Sequence, residues 1–390
     1  MRRFIVGLAS VCWLGCGTQS GASREATAPS TSAIEGEGAF RLLGEHCPGA
    51  SAPFDFSRVR ASGRVERTNE GLTFAWSGTS FDFRFRGTEL ALELEDAGHN
   101  WFGVEIDGVR APGKLKAYVG SRCYELARQL ASGEHRIKVT RLTEASLGES
   151  TLISAVAGEG GELLGSEPGP TRRVEIIGDS ITAAYGVEGK DKTCHFSSDT
   201  ENASLSYAAL FAKREHAEVR MIAWSGKGVF SNRGSTTDTV PMPPLWERTL
   251  PAREDSHWDF SSWQPDAVVV NLGANDFAPE NKDKTPFGAA YLALLSRVRQ
   301  VYPNAVIFCA LSPGLNDDWP PNEHARTRAR EAIQAAIARF SSSQSGRAVF
   351  FEHAVETEAE GWGCDWHPSR AAHARFANEL AAAFAKNLSW

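Results

Sequence analysis

Positive charge is not in excess in this sequence. Its 390 residues carry 41 Lys and Arg against 48 Asp and Glu, a formal net charge of −7. Such a chain offers no broad basic surface to a phosphate backbone, so no nucleic-acid partner is expected. Neither Gly-x-Gly-x-x-Gly nor a phosphate-loop Lys occurs, which leaves a nucleotide fold unsupported. The Cys-x-x-Cys and His-x-x-x-His spacings of zinc sites are also missing, so no metal is expected among Cys194, His195, Cys364, Asp365 and His367. Gly-x-Ser-x-Gly is absent, which argues against the α/β-hydrolase fold. No internal repeat at a fixed period is visible.

What is present is ordinary globular material. Apolar residues make up 42% and charged residues 23%, which excludes a collagen, a coiled coil or a largely disordered chain. The length sets a prior of two to three domains. Eleven Trp is rich for this length, and flat indole rings suit sugar faces as well as cores. Residues 1–16 open with Arg2 and Arg3 and run apolar from Phe4 to Leu14, the anatomy of a bacterial export signal. That run is too short to span a membrane. Its end, Trp13-Leu14-Gly15-Cys16, resembles the lipobox of bacterial lipoproteins, with Trp13 where the usual Leu stands, and this implies a lipidated Cys16. Residues 17–38, rich in Gly, Ser, Thr, Ala and Pro, read as a flexible tether. The expectation is an exported protein of the cell envelope, touching membrane only through its lipid anchor, or otherwise secreted.

Seven cysteines leave five in the mature body, Cys47, Cys123, Cys194, Cys309 and Cys364. Cys309 sits in the apolar run 305–311 and reads as a buried free thiol, while the other four can make two disulfides in an oxidising compartment.

Short alternating runs fill residues 39–160. Phe81, Phe83 and Phe85 face one way and Asp82 and Arg84 the other; Leu90, Leu92 and Leu94 repeat the pattern. This half reads as an antiparallel β-sandwich, jelly-roll-like. A Gly- and Pro-bearing linker is expected at 161–172. From 173 to 390, β-rich runs (174–177, 219–223, 267–272, 305–311, 348–351) alternate with helical stretches (205–215, 286–301, 323–340, 369–387), which predicts a mostly parallel sheet covered on both faces.

Parallel sheets carry function at the carboxyl ends of their strands. After the first run comes Gly178-Asp179-Ser180-Ile181-Thr182; after the second, Trp224-Ser225-Gly226-Lys227-Gly228; after the third, Gly273-Ala274-Asn275-Asp276; and before the last helix, Gly363-Cys364-Asp365-Trp366-His367-Pro368. Taken singly, Ser180 reads as a helix N-cap, Asn275 as a turn residue and His367 as a cap or core residue. Together and in this order, the four stations resemble the blocks of the SGNH hydrolases, the Gly-Asp-Ser esterase superfamily. With the preceding sandwich and the segments Cys194-His195-Phe196-Ser197 and Thr200-Glu201-Asn202, the chain is similar to carbohydrate esterase family 2.

The resemblance implies a flavodoxin-like α/β/α domain and an esterase that removes O-acetyl groups from xylan or glucomannan without a cofactor. It implies Ser180 as nucleophile and His367 as base. Asp365 would be the acid, standing two residues before the His where most of the superfamily place it three before; some family members rely on a Ser-His pair. The Ser180 and Gly226 N–H groups and the Asn275 amide would form the oxyanion hole. Trp366, and more weakly Trp319, would border the sugar. If Ser180 and His367 meet in this way, Cys194 and Cys364 lie in adjoining loops and pair, with Cys47 and Cys123 as the other disulfide. Rival readings are an SGNH esterase or lipase acting on other acyl groups, and a non-catalytic carbohydrate-binding surface protein. The oligomeric state is left open.

Overall fold

Strands between Arg41 and Leu163 pair antiparallel throughout, in a six-stranded and a seven-stranded sheet. A computed structural model describes residues 40–50, 54–234, 239–343 and 347–390; the expected export signal, Cys16 and the tether lie outside the described residues. The alternation in the sequence is what packs the two sheets. Phe81, Phe83 and Phe85 of the strand Ser80–Gly87 bury against Leu90, Leu92 and Leu94 of Leu90–Asp96, which belongs to the other sheet. Asp82, on the opposite face of its strand, is nevertheless buried, because Arg60 and Arg136 bracket its carboxylate in ion pairs. A two-residue strand, Glu162–Leu163, pairs with Arg86 and Phe85 inside the segment expected to be linker.

The rest of the chain winds around five parallel strands: β1 (Arg172–Gly178), β2 (Ala217–Ala223), β3 (Ala267–Asn271), β4 (Val306–Leu311) and β5 (Ala348–Glu352), in the order β2-β1-β3-β4-β5. The helices are α1 (Ser180–Ala183), α2 (Tyr207–Glu215), α3 (Met242–Trp246), α4 (Phe287–Val301), α5 (Ala325–Ser343) and α6 (Arg370–Asn387). Strands covered on both faces need apolar residues at every position. Accordingly, Ala267 and Val269 of β3 pack with α2 and α6, while Val268 and Val270 pack with α3, α4 and α5. Cys309 of β4 is a buried free thiol. In this strand order the crevice at the carboxyl ends opens beside β1.

The sandwich is locked to the hydrolase half by a buried cation. Arg64 and Glu175, the latter on β1, are both fully buried and pair at 3.0 Å. The guanidinium also donates to the carbonyls of Trp246 and Arg248, and the carboxylate accepts from Trp246 Nε1 at 2.7 Å and Tyr302 OH at 3.2 Å. A buried ion whose partner is deleted keeps its desolvation cost without the compensating charge. Arg64→Ala should therefore lower stability to urea by about 3–5 kcal/mol; an unfolding midpoint equal to wild type would show that the pair does not join the two halves energetically.

Candidate active site

At the end of β1 the chain turns sharply into α1. Gly178 permits this, since a Cβ there would lie 2.0 Å from Thr182 Oγ1. Asp179 is the N-cap, its Oδ1 accepting from Ile181 N at 3.1 Å, so Ser180 is the first helical residue rather than the cap. Among the described residues no group accepts from the Ser180 or Gly226 N–H. An unbonded first-turn donor is what a helix start leaves over. Gly226 stands at φ +78, with open space where a Cβ would be.

Ser180 Oγ and His367 Nε2 are 2.9 Å apart, although 187 positions separate them in the chain. His367 Nδ1 faces the main-chain carbonyls of Cys364 at 3.2 Å and Asp365 at 3.1 Å. Carbonyl oxygens only accept, so Nδ1 carries the proton and the Nε2 lone pair is turned to the serine hydroxyl. That is the tautomer a general base requires. The half-buried imidazole lies under Tyr185, ring centroids 4.1 Å apart, and Phe196 stacks on the far face of Tyr185 at 4.2 Å. Enclosure drives the imidazole pKa down to about 4, against the two carbonyl contacts, which raise it; Arg233 adds to the lowering.

The Asp365 side chain is not where the sequence placed it. Its Oδ2 accepts from Tyr185 OH at 3.0 Å and Phe196 N at 2.9 Å, and its Oδ1 meets His195 Nδ1 at 3.0 Å. Asp365 and Trp366 adopt positive φ, 52° and 61°. This left-handed turn swings the Asp365 carboxylate away from His367 and turns its carbonyl toward Nδ1. The Cys194–Cys364 disulfide holds the turn against the loop that bears Phe196, and Cys47–Cys123 is the second bridge. Gly189 permits that contact, since a Cβ would meet Cys364 Sγ at 2.4 Å.

Asn275, on the loop after β3, donates through Nδ2 to Lys227 O at 2.9 Å and to Asp179 Oδ2 at 3.3 Å, joining the Ser180 turn to the Gly226 turn. Next to it, the buried Asp276 carboxylate accepts the N–H groups of Val229, Phe230 and Ser231 at 2.8–3.1 Å. Burial raises Asp179 to about 7 and Asp276 to about 6. Trp366 is 61% exposed beside His367, with Lys192 Nζ 4.3 Å over its ring and Trp362 edge-on. Trp319 is 59% exposed on a loop that follows Gly314, where a Cβ would be 3.1 Å from Ile181. Among the described residues no group of three or more His, Cys, Asp or Glu could hold a metal ion. Tyr185 had no sequence signal: it is one aromatic after a four-residue helix, and its role depends on the fold.

The family model described as "Carbohydrate esterase 2 N-terminal" matches residues 61–166, and that described as "GDSL-like Lipase/Acylhydrolase family" matches 176–375. A solved family two carbohydrate esterase from Clostridium thermocellum, in complex with cellohexaose, aligns at TM-score 0.79 and 36% identity, over 84% of this chain and 98% of that one. The chain belongs to carbohydrate esterase family 2. Cellulase/esterase CelE of Acetivibrio thermocellus is 37% identical over 82% of this chain, which spans 38% of CelE's length. An acetylxylan esterase / glucomannan deacetylase of Cellvibrio japonicus is 26% identical over 88% of this chain and 92% of that protein.

Two expectations for this family 2 chain arise from the His367 contacts. Since the imidazolium forms only as pH falls through about 4, the acid limb of kcat/KM should lie near pH 4, well below the ordinary histidine range, and it would be contradicted by a limb near pH 6.5. Asp365→Asn should cost about tenfold or less, whereas removing the acid of a true triad costs about 10⁴-fold in kcat. Steady-state kinetics on a small acetyl ester separates the two.

Proposed function

We propose that this chain removes O-acetyl groups from plant cell-wall polysaccharide, xylan or glucomannan, through an acetyl-Ser180 intermediate. The observation that carries the reading is the 2.9 Å contact between Ser180 Oγ and a His367 whose other nitrogen is held by carbonyls. His367 takes the hydroxyl proton as Oγ attacks the acetyl carbonyl. The oxyanion that forms draws on the N–H groups of Ser180 and Gly226 and on the Asn275 amide, which gives up its longer bond to Asp179. As the tetrahedral adduct collapses, His367 passes the proton to the departing sugar oxygen. Water, deprotonated by the same imidazole, then releases acetate and restores Ser180. Trp366 would offer a sugar face its exposed ring.

The names of the relatives and the aligned cellohexaose complex support a polysaccharide substrate. Acetate release from acetylated xylan and glucomannan, set beside esters of longer acyl chains, tests it. Acetate from at least one polysaccharide is expected; turnover confined to long acyl chains would favour a lipase-like enzyme. We also propose export, a reading that the two disulfides support, since such bridges persist in oxidising compartments, and lipidation at Cys16, which rests on the likeness of Trp13-Leu14-Gly15-Cys16 to a lipobox. Palmitate labelling lost in Cys16→Ala is the corresponding result.

A further inference from the structure

The active-site contacts so far all come from the hydrolase half, yet one reaches in from the sandwich. Glu144 precedes a short 3-10 turn, Ala145–Leu147, and is buried. Its Oε2 accepts the main-chain N–H of Ser225 at 2.7 Å, and Ser225 is the residue before Gly226. The carboxylate is itself aimed. Ser146 Oγ donates to Oε1 at 2.7 Å, the Glu144 N–H donates to Glu201 Oε2 at 2.9 Å, and the Glu144 carbonyl accepts from Arg141 Nη2 at 2.9 Å. Arg141 is fully buried and is fixed by further bonds to the Thr143 carbonyl and Ser150 Oγ. Glu201 has its other oxygen, Oε1, buried without a hydrogen-bond partner.

A site of this kind is costly unless something requires it, because buried carboxylates without a countercharge in contact resist ionisation. Burial indeed raises both Glu144 and Glu201 above the usual carboxylate range. A neutral Ser or Thr would satisfy one N–H at lower cost. A carboxylate oxygen makes a shorter and stronger bond to an amide. What the 2.7 Å bond from the Ser225 N–H to Glu144 fixes is the Trp224–Ser225 peptide, one residue before the Ser225–Gly226 peptide that carries the Gly226 N–H.

We propose that Glu144 is a positioning residue of the β-sandwich, holding the Ser225-Gly226 turn so that the Gly226 N–H already points at the oxyanion before substrate arrives. The sandwich thereby completes the catalytic apparatus, beyond any part it takes in binding sugar. Oxyanion donors contribute because they are oriented in advance, with no reorganisation at the moment of reaction. Loosening the turn therefore weakens the transition state and leaves ground-state binding almost untouched. The inference rests on the acetyl-serine reading.

The test uses the full chain and 4-nitrophenyl acetate. Glu144→Ala should lower kcat about 10- to 100-fold, with KM within twofold of wild type, as expected when part of one donor's effect is lost. Glu144→Gln keeps an acceptor for Ser225 and should recover most of that loss. A purely structural role would instead show equal losses in both variants, tracking their unfolding midpoints. Ser146→Ala removes the donor that aims the carboxylate from a partly exposed position, and should lower kcat about threefold at unchanged KM. It gives the same split where Glu144→Ala fails to fold. Wild-type kcat in folded Glu144→Ala, or in Ser146→Ala where the former does not fold, would overturn this inference alone. Turnover that survives Ser180→Ala would overturn the acetyl-serine reading and this inference with it.

Discussion

With alanine at position 180, hydrolysis of a small acetyl ester falls by about 10⁴- to 10⁶-fold while the protein unfolds at the same denaturant concentration as wild type. The two halves of that expectation have separate causes. The Ser180 hydroxyl has its hydrogen bond to His367, and nothing else in the fold depends on it. The first turn of α1 is held by Asp179 and by Gly178, both of which remain. The chemistry, in contrast, has no substitute for Oγ. His367→Ala should cost a comparable factor, and the double variant should be barely slower than either single one, because nucleophile and base act as a unit. A Ser180→Ala enzyme with more than a tenth of wild-type turnover would place the reaction on another group.

Asn275→Ala should lower kcat by about 100- to 1,000-fold, the usual consequence of deleting one oxyanion donor, with KM nearly unchanged. This residue also has a structural duty that Ser180 lacks. Its amide bridges Asp179 Oδ2 and Lys227 O, and Asp179 is buried with a pKa already raised to about 7. Deleting the amide leaves a buried acceptor unpaired, which costs about 1–3 kcal/mol. Both effects should appear together, and they are separable: denaturant unfolding reads the second, and kcat at full saturation reads the first. A stability loss without a fall in kcat would reduce Asn275 to a strut between two turns.

Ser180 and His367 could be found in the sequence because each lies next to an element whose periodicity is plain. Apolar runs placed β1 to β5 within a residue or two, and an open parallel sheet directs attention to the first residues beyond each strand. The disulfide between Cys194 and Cys364 came with the same resemblance, since the loops that bear them must meet when Ser180 and His367 do. Asp365 was misplaced for an equally physical reason. Whether a carboxylate or its own carbonyl faces the imidazole depends on two residues in left-handed conformation, Asp365 and Trp366, neither of them glycine. Such strain is imposed by the surrounding loops and leaves no mark in the residue types. The burial of Asp82 was missed because strand alternation gives direction but not what covers the outer face. Glu144 and Arg64 were invisible for a third reason. Each reaches across from the sandwich, over 81 and 111 positions, and no local pattern encodes a contact at that range.

Intact-mass and peptide-mass analysis of the enzyme, quenched in acid within its first turnovers of 4-nitrophenyl acetate, tests the central claim most directly. An acetyl group on the peptide that holds Ser180, absent from Ser180→Ala, is the predicted result. Acetate release at the wild-type rate with the acetyl group on another residue, or with none on the protein, would contradict it.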